Sequence, residues 1–237
     1  MRLVYNETMS TIAIILAGGT GTRLLSNEPK QFLKIGGKTL LEICLQRFQD
    51  HEGIGGIVLV CPKEHLCRAE KIAAIFSKVT KVLAGGATRQ ESSFIGVGAV
   101  PRETENVLVH DAARALVAPG VIDRVLAALA VNAAVMPVLP AGDTMVRVDD
   151  ESRVMAVLDR GKLKRVQTPQ GFRLELIRLA HELARAEGVT DAGDDCSLVL
   201  RGRLAPVVAV AGDVNNIKIT YPEDLAIAEA ILNLKLV

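Results

Sequence analysis

Tryptophan is absent from this 237-residue chain, and tyrosine and phenylalanine together supply only seven positions (two and five). With aromatics at 3% and hydrophobic residues at 49%, Ala, Val, Leu and Ile must fill the interior. That composition suits strands buried on both faces under packed helices. The length allows one α/β domain with a large core. A charge excess is also missing: 28 Lys and Arg against 27 Asp and Glu leave a formal net charge of +1. This argues against nucleic acid as a partner, which would call for a broad basic surface, while local cations can still meet a phosphorylated small molecule. The apolar run from Thr11 to Ala17 is far shorter than the ~20 residues of a membrane span. MRLVYNETMS lacks the basic region and apolar core of a secretory leader, so no membrane association is expected. Cysteine is scarce: Cys44, Cys61, Cys67 and Cys196. CPKEHLC places His65 between two of them, but the spacing matches no usual zinc knuckle and no second ligand pair follows. Reduced thiols in a cytoplasmic protein are the ordinary reading.

What the chain does contain is a regular alternation. TIAIILA reads as a buried strand and KTLLEICLQRFQD as an amphipathic helix. GIVLVC is a second strand, followed by a helix through Phe76; KVTKVLA is a third, followed by the helix TRQESSFIGVGAV. NVLVHDA, then helix GVIDRVLAALA, then strand AAVMPVL continue the series. Repeated βαβ units predict an α/β fold, Rossmann-like, with a mostly parallel sheet and helices on both faces. The alternation breaks over residues 140–166. There TMVRVDDESRVMAVLDR sets two short β-like runs around the polar turn DDES, the pattern of a protruding β-hairpin arm. Beyond it come helix RLELIRLAHELARAEG, the polar loop VTDAGDD, strand LAPVVAVAG and the closing NNIKITYPEDLAIAEAILNL. In that last segment Pro222, Glu223 and Asp224 mark a helix start.

The densest stretch is LAGGTGTRLLSNEPKQFLKIGGKT, from Leu16 to Thr39. Two familiar phosphate-binding patterns almost fit it. A dinucleotide fingerprint starting at Gly19 needs a third glycine where Leu24 stands, and a Walker A loop ending at Gly37-Lys38-Thr39 needs glycine where Phe32 stands. The physical content survives both failures. Small residues after a buried strand let backbone N–H groups approach an anion closely, and ligands of open α/β sheets bind at strand ends. Arg23 and Lys30 add two cations to the same loop. The set suits a triphosphate undergoing phosphoryl or nucleotidyl transfer. The Gly-Lys-Thr ending reads as a turn and a helix start, with Thr39 serving the helix.

LAGGTGTRL…PKQFLKIGGKTLLE resembles the signature loop of the sugar-phosphate nucleotidyltransferases, and within that group the chain resembles the 2-C-methyl-D-erythritol 4-phosphate cytidylyltransferase family. GGATRQES, VHDAARALV, DR…VQTPQGF and NIKITYPEDLAIAE match the same family in order, so the resemblance runs from Leu16 to Glu229. It implies a single nucleotidyltransferase domain over 1–237, with the arm at 140–166 serving dimerisation. It also implies cytidylyl transfer from CTP to 2-C-methyl-D-erythritol 4-phosphate with Mg2+, in isoprenoid precursor synthesis. A pentitol phosphate such as ribitol 5-phosphate is the alternative acceptor, because the AGGTGTR form of the loop is common in enzymes acting on it.

The resemblance also implies residue roles. No protein nucleophile is required, so positioning and charge stabilisation carry the reaction. Arg23 and Lys30 match the cations that stabilise the transition state. Lys218 matches a lysine holding the attacking phosphate near the α-phosphorus. Leu16, Ala17, Gly18 and Gly19 belong to the triphosphate loop; Gly86 and Ser92 surround cytosine and ribose. Asp111, Ala112 and Arg114 lie at the methylerythritol phosphate and metal side, with Asp111 contributing to a magnesium shell held mainly through CTP phosphates and water. Thr144 and Arg160 match positions that contact the substrate phosphate across a homodimer interface, and Thr168 a further polar group near the site. Three departures stand out. Ala115 replaces the usual proline, Ala87 stands where some members carry aspartate, and TDAGDDCS separates Thr190 from Asp194 where the family has a compact Thr-Asp-Asp run. Either Thr190 keeps its substrate contact through a longer loop or that contact is lost.

Overall fold

The structure, a computed structural model, describes residues 11–18 and 28–234. The chain opens with strand β1 (Thr11–Leu16); β2 (Lys34–Ile35) and β3 (Lys38–Thr39) form a small hairpin before helix α1 (Leu40–Gln49). Then follow β4 (Gly56–Cys61), α2 (Leu66–Ala73), β5 (Val79–Ala84), α3 (Arg89–Ala99), β6 (Asn106–Asp111), α4 (Pro119–Leu129) and β7 (Ala134–Pro140). After the hairpin β8 (Val146–Val148) and β9 (Val154–Val157) come β10 (Lys164–Val166), β11 (Gln170–Arg173), α5 (Leu174–Ala186), α6 (Asp195–Arg201), β12 (Val208–Ala211) and α7 (Pro222–Asn233).

The main sheet runs β10-β7-β11-β6-β1-β4-β5, with β12 also paired to β7. Pairs β1–β4, β1–β6, β4–β5 and β7–β12 are parallel; the three pairs that involve β10 and β11 are antiparallel. The expected mostly parallel α/β sheet is therefore present, with antiparallel strands inserted on one side. The reason its strands read as continuous apolar runs is visible residue by residue. Ala13 and Ile15 of β1 enter one core with Leu59, Leu41 and Val121, while Ile12, Ile14 and Leu16 enter the opposite core with Val58, Val97 and Val109. Alternate residues of a strand point to opposite faces, so a sheet covered on both sides needs apolar residues at both parities. Helix α3 approaches β1 closely: a Cβ at Gly96 would stand 2.5 Å from Ile14 Cγ2.

The sequence signals at helix starts are met atom by atom. Thr39 Oγ1 accepts from the Glu42 N–H at 3.1 Å, and Glu42 accepts from the Thr39 N–H at 2.6 Å. These reciprocal bonds form a capping box. The Thr39 hydroxyl, which donates to the Glu42 carboxylate at 2.6 Å, also holds that carboxyl below its ordinary range. Gly36 and Gly37 have φ of 55° and 81°, so Gly-Gly-Lys-Thr is a hairpin turn and a helix cap. Asp224 accepts from the Tyr221 and Thr220 N–H groups at the start of α7.

Besides the short β2–β3 pair, three elements escape the pattern of the sequence. KRV and QGFR form β10 and β11, and DCSLVLR forms α6. The segment 140–166 also divides differently. Pro140 ends β7 and Lys164–Val166 returns to pair with it, so the free hairpin is confined to β8 and β9. Cys44, Cys61 and Cys196 are buried, Cys67 is exposed, and all four are free thiols. His65 packs its ring edge-on against Phe32, with centroids 5.5 Å apart.

Candidate active site

Strand order dictates where a site can form. β1 is followed on one side by β4 and β5, and the chain then returns to lay β6 on the other side of β1. At such a reversal the connections leave in opposite directions and a crevice opens beyond the carboxyl ends. Leu16 and Asp111 are register partners at that edge. A cleft of about 300 Å³ lies there, lined by Leu16, Ala17 and Gly18 from the end of β1, Lys30 and Gln31 from a 3-10 turn, and Gly86 to Arg89 with Ser92 at the start of α3. Asp111, Ala112, Ala113 and Lys218 complete its wall. Gly19 and Arg23 lie outside the described residues.

One wall is a glycine turn braced by a serine. Ser92 Oγ donates to the Thr88 carbonyl at 3.0 Å and accepts from the Gly86 N–H at 3.2 Å. Thr88 caps α3 by accepting from the Glu91 N–H at 3.1 Å. The glycines provide room: a Cβ at Gly85 would lie 2.7 Å from Ser92 Oγ, and one at Gly86 would lie 2.2 Å from Glu91 Cγ. Gln31 also lines the cleft; its side-chain amide is buried and neither polar atom has a protein partner.

The other wall is a charge cluster. Asp111 Oδ1 accepts from Arg89 Nε at 2.9 Å and Oδ2 accepts from Lys218 Nζ at 2.8 Å. Arg89 Nη1 donates at 2.7 Å to Asp195 Oδ2. Burial pushes the Asp111 carboxyl up, but Arg89 and Lys218 overcome that and hold it well below the usual range. Asp195 behaves likewise: burial raises it, and Arg89, His181 and Ser93 hold it down. For Arg89, burial works against the charge, and the two carboxylates more than restore it. Beside them His110 is fully buried, and desolvation pushes its pKa down to about 4. Its Nε2 sits 3.2 Å from the Arg114 carbonyl and its Nδ1 3.0 Å from Thr168 Oγ1. A neutral ring protonated on Nε2 satisfies both contacts, and Thr168 Oγ1 in turn accepts from the Asp111 N–H at 3.1 Å.

The remaining expected residues fall in three places. Arg114 does not line the cleft; it donates to the carbonyls of Asn216 at 2.8 Å and Val166 at 3.1 Å and so ties β10 to the segment before Lys218. Thr168 is buried behind Asp111. Thr144 and Arg160 are exposed and flank the β8–β9 hairpin outside the cleft wall. Thr190 also lies outside the cleft wall, but its carbonyl accepts from Thr88 Oγ1 at 3.0 Å, which fastens the long loop to the glycine turn.

Sequence reasoning missed Arg89 and Asp195, which are 106 positions apart and joined only by folding. Arg89 stood inside the quoted GGATRQES, and its position at the first turn of a helix, where the dipole disfavours a cation, is the one signal that could have drawn attention to it.

The chain matches the family described as 2-C-methyl-D-erythritol 4-phosphate cytidylyltransferase over residues 11–234. A relative from Thermobifida fusca (strain YX), named 2-C-methyl-D-erythritol 4-phosphate cytidylyltransferase, is 43% identical over 229 residues, covering 93% of this chain and 92% of its own. A longer protein of Haemophilus influenzae, named bifunctional ribulose 5-phosphate reductase/CDP-ribitol pyrophosphorylase Bcs1, is 38% identical over 93% of this chain and 48% of its own. Among solved structures, the 4-diphosphocytidyl-2C-methyl-D-erythritol synthase from Anaerococcus prevotii DSM 20548 superposes with a TM-score of 0.84 at 30% identity, covering 96% of this chain and all of that one.

Proposed function

The chain belongs to the 2-C-methyl-D-erythritol 4-phosphate cytidylyltransferase family, and on that footing we infer that it transfers the cytidylyl group of CTP to 2-C-methyl-D-erythritol 4-phosphate. The products are 4-diphosphocytidyl-2-C-methyl-D-erythritol and pyrophosphate, a step of isoprenoid precursor synthesis by the non-mevalonate route. The observation that carries this reading is the cleft at the β1–β6 reversal, where a glycine turn, Lys30, Lys218 and Asp111 together line about 300 Å³.

An oxygen of the acceptor phosphate attacks the α-phosphorus of CTP. The new O–P bond forms as the bond to the β-phosphate oxygen breaks, and pyrophosphate leaves with that electron pair. Neither Lys nor Arg need exchange a proton in this step, so fixed cations that meet growing charge suffice. Lys30 fills that role at the triphosphate, with Arg23 as its partner in the same loop. Lys218, held by Asp111 at 2.8 Å, steadies the attacking phosphate. Leu16 to Gly19 carry the triphosphate, and the narrow turn at Gly86 and Ser92 admits a pyrimidine.

The charged groups present fit a magnesium ion held mainly by triphosphate oxygens and water. Asp111 is the one carboxylate in the cleft wall, and no group of three or more His, Cys, Asp or Glu side chains converges among the described residues. Magnesium commonly binds through one or two carboxylates plus substrate phosphates. When bound it offsets triphosphate charge.

The working unit is a homodimer through the arm. Val148, Val154, Met155 and Val157 are 51–69% exposed, and an isolated two-stranded hairpin is marginal in water without a surface to cover it. Thr144 and Arg160 at its base then reach the partner's acceptor phosphate, and Arg160 suits bidentate phosphate contact. No described helix is long and apolar enough to cross a membrane. Four free thiols suit a reducing compartment, the cytoplasm.

Pyrophosphate release from CTP, magnesium and 2-C-methyl-D-erythritol 4-phosphate tests the reading, and release no greater than without enzyme overturns it. The similarity to the Haemophilus influenzae protein favours ribitol 5-phosphate as the second acceptor to try. The higher kcat/KM is expected for the methylerythritol phosphate.

A further inference from the structure

Behind the cleft wall lies a polar cluster that the proposed reaction does not use. Asp195 is 1% exposed and His181 and Ser93 are fully buried. Ser93 Oγ donates to Asp195 Oδ1, and His181 Nε2 stands 3.3 Å from the same oxygen. The other oxygen, Oδ2, accepts from Arg89 Nη1 at 2.7 Å, while Arg89 Nε reaches Asp111 Oδ1. Arg89 thus bridges two carboxylates from different edges of its guanidinium. It does not clamp either one with two parallel bonds.

That division matters for Asp111. Bidentate pairing is the preferred arrangement of a guanidinium and a carboxylate. Were Arg89 free to adopt it, both Asp111 oxygens would turn to the arginine, and Lys218 would have to share an oxygen already engaged. Arg89 Nη2 has no protein partner, so the donor needed for such a clamp is available. The Nη1 bond to Asp195, which is itself locked by Ser93 and His181, fixes the guanidinium in the orientation that presents Nε alone to Asp111. Two cations and two carboxylates also balance in charge, and removing one carboxylate leaves buried positive charge uncompensated.

We propose that Asp195, seated on Ser93 and His181, is a positioning residue that holds Arg89 in its bridging pose, so that Asp111 keeps one oxygen for Lys218, the cation that meets the reacting phosphate. This rests on the cytidylyltransferase reading above. Asp195 acts through Arg89 and touches no substrate.

The Asp195 carboxylate can be changed without dismantling its helix. The backbone of α6 is anchored separately: Gln170 accepts from the Asp195 and Cys196 N–H groups at 3.1 Å, and Asp194 caps the helix through the Ser197 N–H at 2.8 Å. Asp195→Asn is therefore expected to fold, as thermal melting checks. Its kcat/KM should fall ~10- to 100-fold, the range of a lost hydrogen bond to a charged group. In an Asp111→Asn background the same change should cost less than about twofold, because the two act in series. A purely structural role predicts equal losses in both backgrounds. Equal losses, or an unchanged kcat/KM in the single variant, overturns the proposal. A second measurement needs no turnover. The Lys218 15Nζ signal, identified by its disappearance in Lys218→Met, should exchange slowly in the unaltered protein and at least ~10-fold faster in Asp195→Asn, since an Asp111 carboxylate shared with the arginine holds the ammonium less tightly. Unaltered exchange overturns the proposal. If the unaltered protein releases no pyrophosphate, the functional reading fails, and this exchange measurement alone decides the role of Asp195.

Discussion

Two glycine-rich turns in this chain look alike in sequence and differ in what their glycines are for. Gly36-Gly37-Lys38-Thr39 and Gly85-Gly86-Ala87-Thr88 each end on a threonine that caps a helix, with glutamate three residues on, at Glu42 and Glu91. In the first turn both glycines have positive φ, and no heavy atom crowds the place of a Cβ at Gly37. They set backbone direction. In the second turn neither glycine needs a positive φ, and the space of each missing Cβ is taken by Ser92 or Glu91. They provide room. Glu42 reaches back to the cap residue itself, whereas Glu91 bonds the Ala87 N–H at 2.8 Å. The Thr88 hydroxyl is thereby part of a longer chain that ends on the Thr190 carbonyl. Position separates the two: only the second turn lines the cleft that opens at the reversal of strand order.

The contrast can be broken by substitution. Lys30→Ala, ahead of both turns in the chain, should lower kcat ~100-fold or more, the size of losing one charge-stabilising donor, with the melting temperature nearly unchanged. Near-normal turnover would contradict its assigned role. Gly86→Ala should raise KM for CTP ~10-fold or more by displacing Glu91 and shifting the turn, which steady-state kinetics at varied CTP would read. Gly37→Ala should do the reverse: lose ~1–2 kcal/mol of stability for placing a side chain in the left-handed region, at unchanged kcat/KM. Denaturant titration would show it, and a kinetic defect there would erase the distinction drawn above. Thr39→Ala should cost about 1 kcal/mol by removing the cap, again without kinetic change.

Local patterns were legible to the extent that the physics behind them is local. The caps at Thr39, Thr88 and Tyr221 follow from residues within a few positions, and the apolar runs of β1, β4 and β6 follow from burial on both faces. β10 and β11 were not legible because KRV and QGFR are too short and too polar to show a period; their strand character comes from the partners β7 and β6. The cleft was legible as a set of motifs, Lys30, Asp111 and Lys218 converging as the strand ends demanded. Arg89 and Asp195 were not, because an ion pair across 106 positions leaves no trace in composition or spacing. Arg114 differs again: its place in the motif suggested a ligand contact, while its guanidinium holds two backbone carbonyls of neighbouring segments.

Helix α3 carries Thr88, Arg89, Ser92 and Ser93 at one end and rests on β1 through Gly96 near the other. Mechanically it is a lever whose fulcrum is the bare backbone at Gly96. A methyl group there would meet Ile14 Cγ2 at 2.5 Å, and the displacement would be felt at the far end, in the turn that shapes the cleft. In genetic terms, position 96 would surface as a site of impaired nucleotide affinity although nothing at that position can touch a nucleotide.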